Sequence, residues 1–295
     1  MPTPGQVRET METAEVSRAL TATTSVASDL GLNVDDAILL QNSNRLAVRL
    51  LPCDVLARVA TTVRRNQEGA AFELEMALRL AETGSPCEVP EPRVQPLVYV
   101  RDGFAVTFWT YYEPQSGEVP PEEYARALEG LHAGMRQLDV AAPHFTDRVE
   151  EAQSIVRDRS QSPELGDADR ELLTTALQGL RQPILDRGAA EQLLHGEPHA
   201  GNLLKTARGF RFIDLETCCY GPVEFDLAHA PDEVGDHYAY ADRLLLRDCR
   251  ILRPAMVAAW RADRGDQFPN GSEVLAALLG LVREALDRRG SNLGR

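Results

Sequence analysis

The sequence predicts an α+β protein of two lobes, a small β-rich lobe followed by a larger, mainly helical one. Three observations carry this reading. From Ala37 to Trp109, short apolar or alternating runs are separated by turn-forming residues, with one strong helical segment among them. From Pro120 onward, helical composition dominates. Between Leu193 and Asp226 that character breaks off, and two short strand-like runs flank a glycine turn.

The elements follow in chain order. Residues 1–8 are polar and read as a frayed end, and a helix is expected from Glu9 to about Ala22, although Thr and Ser weaken it. Ala37–Leu40, Arg45–Leu51 and Val55–Ala60 read as strands, separated by Gln-Asn-Ser-Asn and Pro-Cys-Asp turns. Ala70–Thr83 is rich in helix formers and is closed by Gly84 and Pro86. After a proline-rich stretch, Leu97–Val100 and Phe104–Trp109 flank Arg-Asp-Gly, and Asp-Gly between alternating hydrophobics is the strongest short hairpin signal. Helices are expected over Pro120–Gln137, Asp147–Asp158, Asp167–Gly188 and most of the chain after Asp236. Leu203–Leu204 and Phe210–Leu215 form the embedded strand pair, and the tail Arg288–Arg295 reads as frayed.

Composition bounds the function. The net charge is -14, with 45 acidic residues against 31 basic ones. Nucleic acid and anionic membrane surfaces are therefore poor partners, whereas a cationic small molecule would be attracted. Lys205 is the sole lysine. Five cysteines without a C-x-x-C pair argue for reduced, buried thiols in a cytoplasmic protein rather than a disulfide framework or zinc site. The polar, acidic N-terminus does not read as a secretory signal, and the longest apolar run is too short to be expected to span a bilayer.

The chemistry concentrates in His195-Gly-Glu-Pro-His-Ala-Gly-Asn202, then Ile213-Asp-Leu-Glu216, then Gly221-Pro-Val-Glu-Phe-Asp-Leu-Ala228. A carboxylate with a carboxamide is a hard oxygen site suited to Mg²⁺, which keeps waters and binds phosphates besides. A further acid can orient and deprotonate an attacking hydroxyl. Phosphoryl transfer uses this division of labour. His195 and His199 are four residues apart, but Gly-Glu-Pro between them forbids the regular helix a zinc pair would need.

These three motifs, in order within 34 residues, resemble the aminoglycoside phosphotransferase and choline kinase-like family of small-molecule kinases, which have a protein-kinase-like fold. The resemblance implies Glu197 as catalytic base, Asn202 and Asp214 as Mg²⁺ ligands, Asp226 as a structural acid bracing the loop, and His195 as a packing residue. It also implies transfer of the γ-phosphate of ATP or GTP to a hydroxyl of an aminoglycoside, sugar, choline or related metabolite. The expected organisation is then a helical extension over 1–30, a nucleotide-binding lobe over 31–108, a linker over 109–113 and a catalytic helical lobe over 114–295. One departure stands out: Glu197 occupies a position where most of the family has Asp. Its extra methylene calls for an adjusted backbone, a more distant hydroxyl or a retired active site. A non-catalytic, nucleotide-binding pseudokinase is the alternative.

A kinase small lobe needs a cation on its third strand, paired with a Glu on the next helix. Arg58 is the cation inside that strand, and a guanidinium grips phosphate bidentately, unlike lysine. Helical spacing puts Glu73 on the apolar stripe with Phe72, Met76, Ala77 and Leu80, so Glu73 is the inward acid and the expected partner of Arg58. Gln41–Asn44 lacks a G-x-G-x-x-G pattern; the family resemblance implies Ser43 and Asn44 as phosphate contacts at this loop, with a plain polar turn as the other reading. Thr107–Tyr112 would connect the lobes, with Trp109 or Tyr111 beside the base. Glu216, Glu224, Asp232, Glu233 and Asp236, with Tyr220, Tyr238 and Tyr240, could face a cationic substrate.

Overall fold

The computed structural model describes residues 11–43, 45–266 and 270–293. Asn44 and residues 1–8 therefore lie outside the described residues, as does the expected helix start at Glu9. In chain order the first elements are α1 (Thr13–Asp29), β1 (Val34–Asn42), β2 (Leu46–Pro52), β3 (Val55–Thr61), α2 (Arg64–Glu82), β4 (Tyr99–Arg101) and β5 (Phe104–Thr110). Then come α3 (Pro121–Met135), α4 (Phe145–Arg157), α5 (Asp167–Asp186), β6 (Glu191–Leu194), β7 (Leu203–Thr206), β8 (Gly209–Phe212) and β9 (Cys219–Pro222). The last are α6 (Val223–Leu227), α7 (Val234–His237), α8 (Arg243–Arg261) and α9 (Gly271–Leu293). The chain forms two compact units. One runs through Glu118 and includes Asn202–Thr217; the other is Val119–Gly201 with the chain from Cys218 onward.

The first unit is an antiparallel sheet in the order β1-β2-β3-β5-β4. Leu46, Val48 and Leu50 alternate inward along β2 and are fully buried, as are Val55, Ala57 and Val59 on β3. Helix α1 lays Ala19, Ala22, Val26 and Ala27 onto this core. It continues to Asp29 instead of stopping near Ala22, because its hydroxyl residues satisfy themselves within the helix. The Thr23 hydroxyl donates to the Ala19 carbonyl at 2.7 Å, and Ser28 does the same to Thr24 at 2.9 Å. The β4–β5 turn is Asp102-Gly103, with φ of 51° and 84°, the paired positive angles of a type I′ hairpin. Helix α2 begins six residues before the expected start and buries Glu73, Leu74, Met76, Ala77 and Leu80. The β7–β8 hairpin joins this unit through the Glu88 N–H to the Phe212 carbonyl (2.9 Å) and the Phe212 N–H to the Pro86 carbonyl (2.8 Å).

In the second unit, helices α3, α4, α5, α8 and α9 are joined by a two-stranded ribbon of β6 and β9. The sequence reading missed this ribbon, because Gly221 and Pro222 suppress any strand signal in β9. A Cβ at Gly221 would come 2.9 Å from the Phe145 ring, so glycine is what lets the strand approach α4. The C-terminal tail is a second correction: α9 remains helical through Leu293 rather than fraying from Arg288. Arg289 anchors it by donating to both carboxylate oxygens of buried Asp248, at 3.1 and 3.2 Å. All five cysteines are free. Among the described residues, no helix is long and apolar enough to cross a membrane.

Candidate active site

In the sheet unit, Arg58 and Glu73 meet as expected, with Arg58 Nη1 donating to Glu73 Oε1 at 2.6 Å. Strand β3 brings the guanidinium and helix α2 the carboxylate, both into the buried interior. Two partners were not legible beforehand. Glu88, from the proline-rich stretch, accepts two bonds from Arg58, at 2.9 Å from Nη1 and 2.5 Å from Nη2. Arg45 donates to Glu73 Oε2 at 2.5 Å and to Asp214 Oδ1 at 2.8 Å. Burial works to lower the pKa of both guanidiniums, but the surrounding carboxylates outweigh it and both are raised. Burial pushes the Glu88 carboxyl up to about 7, against the pull of Arg58.

Asn202 and Asp214 flank the open end of the β7–β8 hairpin. The Ile213 N–H donates to the Asn202 carbonyl at 3.0 Å, which ties the two positions together. Strand β8 ends at Phe212, short of the expected Leu215, and Asp214 lies beyond it with φ of 69°. That left-handed backbone is unfavourable for Asp unless its surroundings hold it. Here the Asp214 N–H is fixed by Glu88 Oε1 at 2.9 Å and its carboxylate by Arg45. Ser43 folds back on its own turn, its N–H and hydroxyl both donating to the Arg45 carbonyl at 3.3 Å. Trp109 is not in a connector but fully buried on β5, its indole N–H on Thr107 and the Arg58 guanidinium 4.8 Å from its ring. Tyr111 lies beneath Arg49 at 3.9 Å.

In the helical unit, Glu197 sits on a tightly braced loop. Asp226, fully buried on α6, accepts from the N–H groups of His195 (2.9 Å) and Gly196 (2.8 Å) and contacts His132 Nε2 (2.9 Å). Gly196 has φ of 88°, a conformation that turns both amides onto one carboxylate and that glycine adopts without steric cost. The Glu197 N–H in turn donates to His195 Nδ1 at 3.3 Å, and the Tyr124 hydroxyl donates to the Pro198 carbonyl at 2.5 Å. Glu197 is 2% exposed, and its carboxylate accepts a hydrogen bond from Arg148 on α4, whose guanidinium lies 5.1 Å over Trp260. No motif marks Arg148, which is why sequence reading passed over it.

The acidic and aromatic residues expected to face a cationic substrate are largely engaged. Glu224 is buried and accepts from the Asp242 N–H, Asp232 and Asp236 pair with Arg250 and Arg243, and Glu216 pairs with Arg45. The Tyr220 hydroxyl donates to the Val140 carbonyl, while Tyr238 bonds His132. Tyr240 is fully exposed.

His229 lies near the same loop. Burial holds it well below the usual histidine range, reinforced by Arg253, Arg148, His199 and His195. A histidine depressed in the folded state gives stability that is complete above the unfolded value of about 6.5 and is lost as pH falls below it. The His229→Leu variant should therefore lose about 3 °C less in melting temperature than wild type between pH 7.5 and 5.5. Equal losses in the two proteins would contradict this.

The donor set fits a hard divalent cation. Asp214 supplies a carboxylate and Asn202 a carboxamide, both oxygen donors fixed by one hairpin. Among the described residues, no group of three or more His, Cys, Asp or Glu is arranged to hold a metal ion. A cation here would complete its shell with water and phosphate oxygens, the habit of Mg²⁺.

The comparisons agree with this architecture. The model of the phosphotransferase enzyme family matches residues 36–250. Methylthioribose kinase from Pectobacterium carotovorum subsp. carotovorum is 32% identical over 124 residues, 41% of this chain and 28% of that enzyme, so the match spans less than a third of the relative's length. Among solved structures, an amicoumacin kinase in complex with AMP-PNP, Ca²⁺ and Ami superposes with a TM-score of 0.70 at 13% identity, covering 92% of this chain and 96% of that one. The choline kinase LicA from Streptococcus pneumoniae gives 0.65 at 12%, covering 90% and 98%. The GDP complex of wild-type aminoglycoside 2′-phosphotransferase-IIIa gives 0.64 at 14%, covering 92% and 99%. At these identities the likeness establishes the fold, the kinase-like α+β architecture that the three motifs implied. The family match covers well over half the chain, and the chain belongs to the phosphotransferase enzyme family.

Proposed function

We propose that this protein transfers the γ-phosphate of ATP or GTP to a hydroxyl of a small molecule. The observation that supports this best is the paired donor set of Asn202 and Asp214 on one hairpin, beside the Arg58–Glu73 pair, in a chain of the phosphotransferase family. Arg58 and the carboxylates around it set the charge that meets the phosphates. Asn202 and Asp214 would hold Mg²⁺, which neutralises charge on the β- and γ-phosphates when bound. Glu197, five residues before Asn202 in the chain, accepts the proton of the acceptor hydroxyl. That hydroxyl oxygen forms the new P–O bond as the bond to the departing nucleoside diphosphate breaks. Arg148 fixes the carboxylate of Glu197, which removes much of the rotational freedom its extra methylene would otherwise add.

The acceptor is a hydroxylated small molecule, and the overall charge of -14 favours a cationic one. The solved kinases with this fold include enzymes named for amicoumacin and choline, and a relative in sequence is named for methylthioribose, so panels of amino alcohols, aminoglycosides and sugars are the ones to test. The test is formation of nucleoside diphosphate and phosphorylated acceptor across such panels with ATP and GTP. Acceptor-dependent turnover supports the assignment. Nucleotide binding without transfer to any acceptor would favour the pseudokinase alternative.

A further inference from the structure

Arg45 lies outside all three motifs, directly after the Gln41–Asn44 turn, yet its guanidinium reaches three carboxylates. It contacts Glu73 at 2.5 Å, Asp214 at 2.8 Å and Glu216 at 3.4 Å. Arg58 differs in character. Its fork is engaged bidentately by Glu88 and again by Glu73, with its side chain 10% exposed. Arg45 makes one contact to each of its three acids and its side chain is 16% exposed, so it is the more accessible cation of the pair. Its grip on Asp214 also places a positive charge against the carboxylate that would take a divalent ion.

The acids Glu73, Glu88, Asp214 and Glu216 outnumber the cations Arg45 and Arg58, and Arg45 makes the cluster one charge less negative than it would otherwise be. The charge that Arg45 supplies therefore works against a bare divalent cation and in favour of a polyphosphate. A guanidinium beside the turn is also suited to bidentate contact with phosphate oxygens.

Resting on the kinase reading above, we propose that Arg45 is an internal counter-cation that holds Asp214 in the free protein and transfers its contact to the nucleotide phosphates when metal and nucleotide bind together. Asp214 is thereby kept from binding a metal ion alone, and metal and nucleotide each strengthen the other's binding. Arg45 acts through Asp214 and is a positioning residue.

The test uses the full chain and the variants Arg45→Gln and Arg45→Lys. Mn²⁺ binding without nucleotide is read from the electron paramagnetic resonance signal of free Mn²⁺, and ADP binding in EDTA is read by calorimetry. Arg45→Gln should bind Mn²⁺ about tenfold more tightly and metal-free ADP about tenfold more weakly. Arg45→Lys should shift both in the same directions by less, since an ammonium cannot bridge the same acids. A merely structural role cannot give opposite signs in the two measurements. Unchanged or weaker Mn²⁺ binding in Arg45→Gln, or unchanged ADP binding, overturns the proposal. So does unfolding of both variants by circular dichroism, because the bridge must be breakable for Arg45 to move. Should Arg45→Gln alone unfold, the Mn²⁺ affinity of Arg45→Lys decides by its sign. Wild-type protein that binds no nucleotide with or without metal refutes the kinase reading itself, whereas normal wild-type binding with unmoved variants refutes only the role of Arg45.

Discussion

The Glu197→Gln variant should bind nucleotide and metal as wild type does and lose about a thousandfold in the rate of phosphoryl transfer. General-base assistance contributes roughly 10²–10⁴ to such a step, and the amide keeps the shape of the side chain while losing its basicity. The substitution also exchanges the charged hydrogen bond from Arg148 for a weaker one, so Arg148 remains partnered and the loop stays in place. The measurements are single-turnover transfer to an acceptor found in the panels and a calorimetric nucleotide titration. Turnover at the wild-type rate would remove Glu197 from the mechanism. A matching loss of nucleotide affinity would instead show that the variant damages the site as a whole.

The second large effect is on stability. Asp226→Ala removes a fully buried carboxylate that satisfies the N–H groups of His195 and Gly196 and contacts His132. Three buried donors lose their partner, and each costs roughly 1–3 kcal/mol when left unsatisfied. A loss of about 4 kcal/mol is expected, or a fall of about 10 °C in the melting temperature for a unit of this size. Asp226→Asn keeps one acceptor oxygen and should fall between the two. A loss below about 1 kcal/mol for Asp226→Ala would mean that the loop before Glu197 is held by other contacts.

What was legible in the sequence follows from how local each signal is. The Asp-Gly turn, the alternating strands and the apolar stripe that turns Glu73 inward are set by neighbouring residues, and the structure carries all of them. The bracing carboxylate Asp226 was legible through the motif that contains it, and it accepts the loop amides as expected. Glu88, Arg45 and Arg148 were not, because each meets its partner only through tertiary packing. Glu88 comes from a proline-rich stretch with no periodicity, Arg45 from a strand end whose neighbours explain only the inward Leu46, and Arg148 from the first turn of an ordinary amphipathic helix. The β6–β9 ribbon was hidden for another reason: packing against Phe145 demands the very glycine that weakens the local strand signal.

The central claim is that Asp214 serves a metal-dependent nucleotide site, and thermal unfolding with and without Mg²⁺ plus ATP or GTP tests it most directly. Nucleotide at about 100 times its Kd adds about 2.7 kcal/mol, which raises the melting temperature by roughly 5–10 °C. Wild type should show the full rise only when Mg²⁺ and nucleotide are both present, with a smaller rise for nucleotide alone, and Asp214→Asn should show no gain from Mg²⁺. An equal, magnesium-dependent rise in both proteins, or none in wild type with either nucleotide, would contradict the account.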